Sequence, residues 1–302
     1  MLSFLHTYHP LPIIFQIGRI TFYWYGLFIV LGVVAGLLVT LKLSKSYQME
    51  KERIIDLSFW LIIFGIIGAR LFDSLFYNGN YFLKHPFDIF KVWQGGMSIY
   101  GALIAGFIFL FFYCRKNKIS FWFFADLFAP ALILGQAIGR WGNYFNQELY
   151  GKPSTGIFSV PIDPINGVSG MENFNYFQPV FLYEFIGGLM IFFILIWLHQ
   201  KKLEIIRKEK KGRLPTVLEH IFGYYNSTIT ERGKNGFIFS IYLISYSSLR
   251  FIIEFIRTDP QPVFLSLRLS QWISLLLIIF SFVIIIKEPL AFCLSKGHKK
   301  PE

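Results

Sequence analysis

The sequence predicts an all-α membrane protein, a single polytopic domain over residues 1–302 folded as a bundle of about seven transmembrane helices. Three observations predict it. Hydrophobic residues make up 54% of the chain and aromatic residues 20%, which is not the composition of a soluble domain. Seven apolar runs follow one another, each about long enough to cross a hydrocarbon core of about 30 Å. The basic residues behind the net charge of +11 sit mostly in short segments between those runs. That pattern reports topology and gives no reason to expect a nucleic-acid partner.

The runs cover roughly 22–41, 54–76, 93–113, 121–139, 181–198, 236–255 and 269–286. The first opens on Phe22-Tyr23-Trp24-Tyr25-Gly26, an aromatic belt at a membrane interface. The second and fourth each carry a charge, Arg70 and Asp126. The third opens WQGGMSIYGALIAG over 93–106, where Gly95 and Gly96 are expected to expose backbone N–H groups at a helix start. The fourth runs on into GQAIGRWGNYFNQELYG, 135–151, in which Gly135 and Gly139 favour close helix packing. The fifth begins at QPVFLYE, 178–184. Two cysteines, Cys114 and Cys293, fall near helix ends and predict no structural disulfide. No cleavable signal peptide is expected, because no basic stretch precedes the first apolar run.

Lysine and arginine set the orientation. Four lie in 42–53, three in 114–120, nine in 199–235 and four after 286, twenty of the 29. The positive-inside rule makes these segments cytoplasmic. The N-terminus is then outside, the C-terminus inside, and the number of spans odd. Residues 140–180 are expected outside as a small extracytoplasmic head. Residues 199–235, with Tyr224–Tyr225, are expected inside as a basic loop facing anionic lipid.

Charges at membrane depth are costly and mark functional sites. Tyr246, Arg250, Glu254 and Arg257 recur at helical spacing and form one polar stripe on the sixth span. An Arg250–Glu254 pair either joins two helices or binds an anion, and a guanidinium's planar fork suits phosphate. Arg140, Asn143, Asn146 and Glu148 follow within nine residues at the outer end of the fourth span and suggest a head-group site. No His/Cys/carboxylate cluster has metal-ligand spacing, and neither H-E-x-x-H nor G-x-S-x-G occurs. No metal and no cofactor is therefore expected. The residues alone leave two functions open: an enzyme acting on an anionic lipid head group, or a transporter or channel for an anionic solute lined by Arg140 and Arg250.

Taken together, W-Y-G at 24–26, W-Q-G-G-M-S-I-Y-G at 93–101, G-R-W-G-N-Y-F-N-Q-E-L-Y-G at 139–151 and L-R-F-I-I-E-F-I-R at 249–257 resemble the prolipoprotein diacylglyceryl transferase family along most of the chain. The resemblance implies seven membrane helices in the bacterial inner membrane and a site toward the outer leaflet. It implies transfer of the diacylglyceryl group of phosphatidylglycerol to the lipobox cysteine of a preprolipoprotein signal peptide, forming a thioether and releasing glycerol-1-phosphate. By motif match Arg140 binds the lipid phosphate with Asn143, Asn146, Glu148, Gly151, Gly95, Gly96 and Arg257, while Arg250, Glu254, Tyr246 and Tyr25 serve catalysis. Tyr100 stands where the family often has histidine, and Gln178-Pro179-Val180-Phe181 where it often has H-P-S-Q. Tyr100 is expected to orient the thiol or the phosphate, since a phenol of pKa about 10 is a poor base.

Overall fold

A computed structural model describes residues 2–18, 20–210 and 236–296. Among these the chain is mostly helical. A short helix α1 (Leu2–Thr7) and a hairpin of β1 (Ile13–Ile17) and β2 (Ile20–Tyr23) lead into α2 (Trp24–Ser46) and α3 (Lys51–Phe72). A π-helical turn and α4 (Gly79–Lys84) precede α5 (Ile99–Lys116), then α6 (Phe121–Phe145) and α7 (Val180–Lys210). After residue 235 come α8 (Phe237–Ile253) and α9 (Leu269–Lys296). Two-stranded pairs β3 (Val160–Pro161) with β4 (Tyr176–Phe177), and β5 (Val263–Phe264) with β6 (Leu267–Arg268), complete the loops.

Six of these helices are long and apolar enough to cross a membrane, and the seventeen-residue α8 is shorter. Their outward faces carry exposed Leu, Ile, Val and Phe along much of their length, as lipid-facing surfaces do. Helix α6 is the axis: it packs against α2, α7 and α8, while α3 pairs with α5 and α8 with α9. Gly32 makes the α2–α6 approach possible, because a Cβ there would lie 3.1 Å from the carbonyl oxygen of the facing Gly135, whereas a Cβ on Gly135 would meet ordinary contact at 3.6 Å. Gly139 has no such neighbour.

Three expected boundaries move. The third helix begins at Ile99, not near 93, because Gly95 and Gly96 adopt φ of +84° and +70°, which no helix accommodates. Gly95 and Gly96 therefore present no helix-start N–H groups. Their carbonyls accept hydrogen bonds from Arg70, which also donates to the carbonyls of Ile89 (2.9 Å), Asp88 (2.7 Å) and Lys91 (3.2 Å). The charge in the second span thus closes the loop before α5. Helix α6 continues past 139 to Phe145, carrying Arg140 and Asn143 on its last turns. Helix α7 continues past 198 to Lys210, so the expected basic loop starts later; its residues 211–235, Tyr224–Tyr225 included, lie outside the described residues.

That extension buries two residues of the supposed loop. Lys202 pairs with Asp126 of α6 at 3.0 Å, with side chains 7% and 1% exposed. The other Asp126 oxygen accepts the backbone N–H of Phe239 on α8 (2.9 Å), and His199 bridges the Asp126 carbonyl and the Tyr47 hydroxyl. Helices α6, α7 and α8 are joined through this one carboxylate, and His199 links the backbone of the same residue to Tyr47 at the end of α2. Removing one partner leaves a buried charge unpaired, at a cost of about 3–5 kcal/mol. Lys202→Met should therefore lower the unfolding free energy by about that much, and Lys202→Met with Asp126→Leu should regain most of it. Thermal denaturation in detergent measures both; equal melting points for wild type and Lys202→Met would exclude the role.

Candidate active site

At the opposite end of the bundle a second buried carboxylate gathers the arginines. Glu184, on the first turns of α7, meets Arg140 Nε at 2.8 Å, Arg250 at 3.0 Å and Arg257 at 3.8 Å. Arg250 reaches from α8 to Glu254, one turn on, at 2.9 Å. Glu254 also takes Arg268 of β6 at 2.6 Å, and Arg257 takes Asp259 at 2.6 Å. The carboxylates lie inside, with Glu184 and Glu254 side chains 6% and 0% exposed, whereas those of Arg140 and Arg250 are 19% and 15% exposed. Positive charge thus faces a small cleft lined by Gln136, Arg140, Glu184, Tyr246 and Arg250 together with apolar α6–α8 residues.

The local sequence produces this layout. Spacings of four and three put Arg250, Glu254 and Arg257 on one side of α8 and its C-terminal turn. Arg140 sits one turn before Asn143, donating to its carbonyl oxygen at 3.4 Å, and Asn143 donates to Glu148 at 2.7 Å. Tyr246 lines the cleft with Arg140, and its ring stacks on Tyr242, whose hydroxyl accepts from Gln136. Tyr25 lies by Arg140 and Glu148. It packs on Gly142, where a Cβ would come within 2.6 Å of its ring. Gly151 bridges Arg257 backbone-to-backbone in a space that a Cβ would crowd to 2.9 Å.

Tyr25, Arg140, Asn143, Glu148, Gly151, Tyr246, Arg250, Glu254 and Arg257 are thus brought together. Four expected residues are not. Gly95 and Gly96 stay on the Arg70 loop. Tyr100, on the first turn of α5, is 47% exposed with its ring 6.3 Å from Phe72, and no described hydrogen bond ties it to the arginines. Asn146 caps α6 through its backbone, and no described hydrogen bond joins its amide to the network.

Sequence reasoning overlooked Arg268 and Asp259 and underrated Glu184. It also overlooked Gln147, which at φ +52° turns inward to bond Pro10, Asp163 and Asn166. Gln147 thereby ties the N-terminal segment to the 146–179 head, whose own small core is Leu5, Tyr144, Tyr150, Val160, Ile162, Phe177 and Phe181. The available signal for Glu184 was a lone carboxylate at the start of an otherwise apolar span.

A family model described as Prolipoprotein diacylglyceryl transferase matches residues 12–287. A Phosphatidylglycerol–prolipoprotein diacylglyceryl transferase of Trichormus variabilis is 39% identical over 274 residues, covering 91% of this chain and 88% of the relative. A protein of the same name from Listeria monocytogenes is 38% identical over 277 residues, covering 91% and 88%. Another, from Thermosynechococcus vestitus, is 34% identical over 263 residues, covering 87% of each.

Asp259, beyond the end of α8, titrates as part of this network. Burial pushes its carboxyl up, but hydrogen bonds from Arg257 and Gln261 and the charges of Arg257 and Arg268 outweigh that and hold it below the usual aspartate range. A carboxyl depressed on folding contributes stability above its unfolded pKa of about 4 and loses it as pH falls through the folded value. Between about pH 5 and about pH 3 the melting point should fall less steeply in Asp259→Asn than in wild type. Identical slopes would show that Asp259 carries none of the acid sensitivity.

Proposed function

The chain belongs to the prolipoprotein diacylglyceryl transferase family, and on that footing we propose that it moves the diacylglyceryl group of phosphatidylglycerol onto the lipobox cysteine thiol of a preprolipoprotein. It is a transferase. The sulfur forms a bond to the terminal glyceryl carbon of the diacylglycerol, the C–O bond to phosphate breaks, and glycerol-1-phosphate leaves with the bonding pair. The thiol proton is released. We place the enzyme in the bacterial inner membrane with the cleft toward the outer leaflet, an orientation that the positive-inside count supports.

One property of the network supports this above all. Four guanidiniums face three carboxylates in a single contiguous set of ion pairs, with Glu148 outside it, hydrogen-bonded to Asn143. A phosphodiester carries one negative charge, which suits the guanidiniums that border the cleft. As the C–O bond breaks, a second charge grows on the phosphate, and arginines fixed in a water-poor cleft stabilise it without reorganising. Arg140 and Arg250, the two that border the cleft, hold the phosphate. Tyr246 and Tyr25 orient Arg140, and Asn143 and Glu148 continue the site toward the head, with Asn146 at its rim. Glu254 and Arg257 set the pose of Arg250. Tyr100, apart from the arginines on the exposed start of α5, meets the acceptor thiol, beside the Gly95–Gly96 loop. The transporter alternative gains nothing from relatives that are all named as transferases.

Purified protein given phosphatidylglycerol and a lipobox peptide should yield the diacylglyceryl thioether by mass spectrometry, and no adduct from folded protein would refute the assignment. Arg140→Ala and Arg250→Ala should each lower kcat/KM by about 100-fold or more, the scale of losing a charge-stabilising donor. Tyr100→Phe should raise KM for the peptide and leave KM for the lipid unchanged; full activity in that variant would remove Tyr100 from the reaction.

A further inference from the structure

Arg250 is held in an unusual way. Its two terminal nitrogens go to two different carboxylates, Glu184 at 3.0 Å and Glu254 at 2.9 Å, and among the described residues it donates to no backbone carbonyl. Two of its five N–H groups are directed at carboxylates, so a phosphate in the cleft competes with both carboxylates for the same guanidinium. Leaving a buried carboxylate with no cation costs more than a charged hydrogen bond contributes. An arginine placed only between two carboxylates would therefore stay there.

Each of those carboxylates has another guanidinium. Glu184 keeps Arg140 at 2.8 Å and Arg257 at 3.8 Å, and Glu254 keeps Arg268 at 2.6 Å. Arg268 is itself immobilised. It donates to the carbonyls of Glu254 (3.3 Å), Arg257 (3.2 Å) and Asp259, and it closes the β5–β6 hairpin, whose turn residues Leu265 and Ser266 both adopt left-handed φ. Among the described bonds the guanidiniums of Arg140, Arg250 and Arg257 meet only side chains, whereas that of Arg268 is anchored to backbone, and Arg250 and Arg268 lie on either side of the same carboxylate.

We propose that Arg268 is a positioning residue for lipid binding: it keeps Glu254 paired while Arg250 turns its N–H groups to the phosphate. Arg140 and Arg257 do the same for Glu184. This role rests on the assignment of Arg250 to the phosphate. The cost of freeing Arg250 is met when the lipid binds, so it appears in KM for phosphatidylglycerol and not in kcat.

The test is steady-state thioether transfer in mixed micelles, with phosphatidylglycerol varied and a lipobox peptide saturating, on wild type, Arg268→Gln, Arg268→Lys and Arg140→Gln. In Arg268→Gln, Glu254 has Arg250 as its remaining cation and retains it; KM for the lipid should rise about 10-fold with kcat within about 2-fold. Arg268→Lys keeps the charge beside Glu254 but loses the fork that pins three carbonyls. Its melting point should fall while its KM stays near wild type. An unchanged KM in Arg268→Gln, or the same raised KM in the lysine variant, would overturn the role and leave Arg268 as a brace for the hairpin. If Arg268→Gln does not fold, the lysine variant alone decides through its KM. An unchanged KM in Arg140→Gln would instead sink the phosphate site itself.

Discussion

The arginine-rich end of this bundle depends on one buried carboxylate. Glu184 of α7 draws in guanidiniums from α6 and from α8 and the turn after it, and without it three like charges would face one another in a space from which water is largely excluded. At the other end Asp126 of α6 takes the ammonium of Lys202 on α7 and a backbone N–H of α8. The same three helices are therefore fastened at both ends by an acid, and they line the cleft together. Ion pairs of this kind add little net stability compared with apolar packing, but they penalise misregistered arrangements heavily. That is the property a cleft needs if its arginines are to meet a phosphate without searching for it.

Polar side chains close the connecting loops by the same logic. Arg70 gives its N–H groups to carbonyls of residues 88–96, a stretch with little regular structure of its own to satisfy them. Gln147 does this for the head. In both cases a residue that looks out of place in a hydropathy profile supplies the partners that secondary structure would otherwise provide.

Much of the site was legible from spacing alone. Arg140, Asn143 and Glu148 lie within nine residues, and Arg250, Glu254 and Arg257 fall on one helical stripe. Local periodicity could place each set at the same membrane end. It could not pair Arg140 with Glu184, or Glu254 with Arg268, because those partners come from other helices and carry no short-range signal. Lys202 was hidden for another reason: a lysine pair just after an apolar run reads as a solvated loop. Only the continuation of α7 as helix turns it toward Asp126. Gly95 and Gly96 misled because paired glycines at the edge of an apolar run fit a helix start and a left-handed turn equally well.

The head has a temporal consequence. Its core includes Leu5 from the first helix, and His6 reaches the Ser159 carbonyl across 153 positions of chain. On the outward-facing topology inferred from charge, the first residues cross the membrane early in synthesis, yet their partners emerge only after α6 has been inserted. Until then the N-terminal segment has nowhere to pack. The head is thus assembled late in biogenesis, after the bundle has begun to form, and a ribosome stalled before residue 177 would leave helices in the bilayer with the head unfinished.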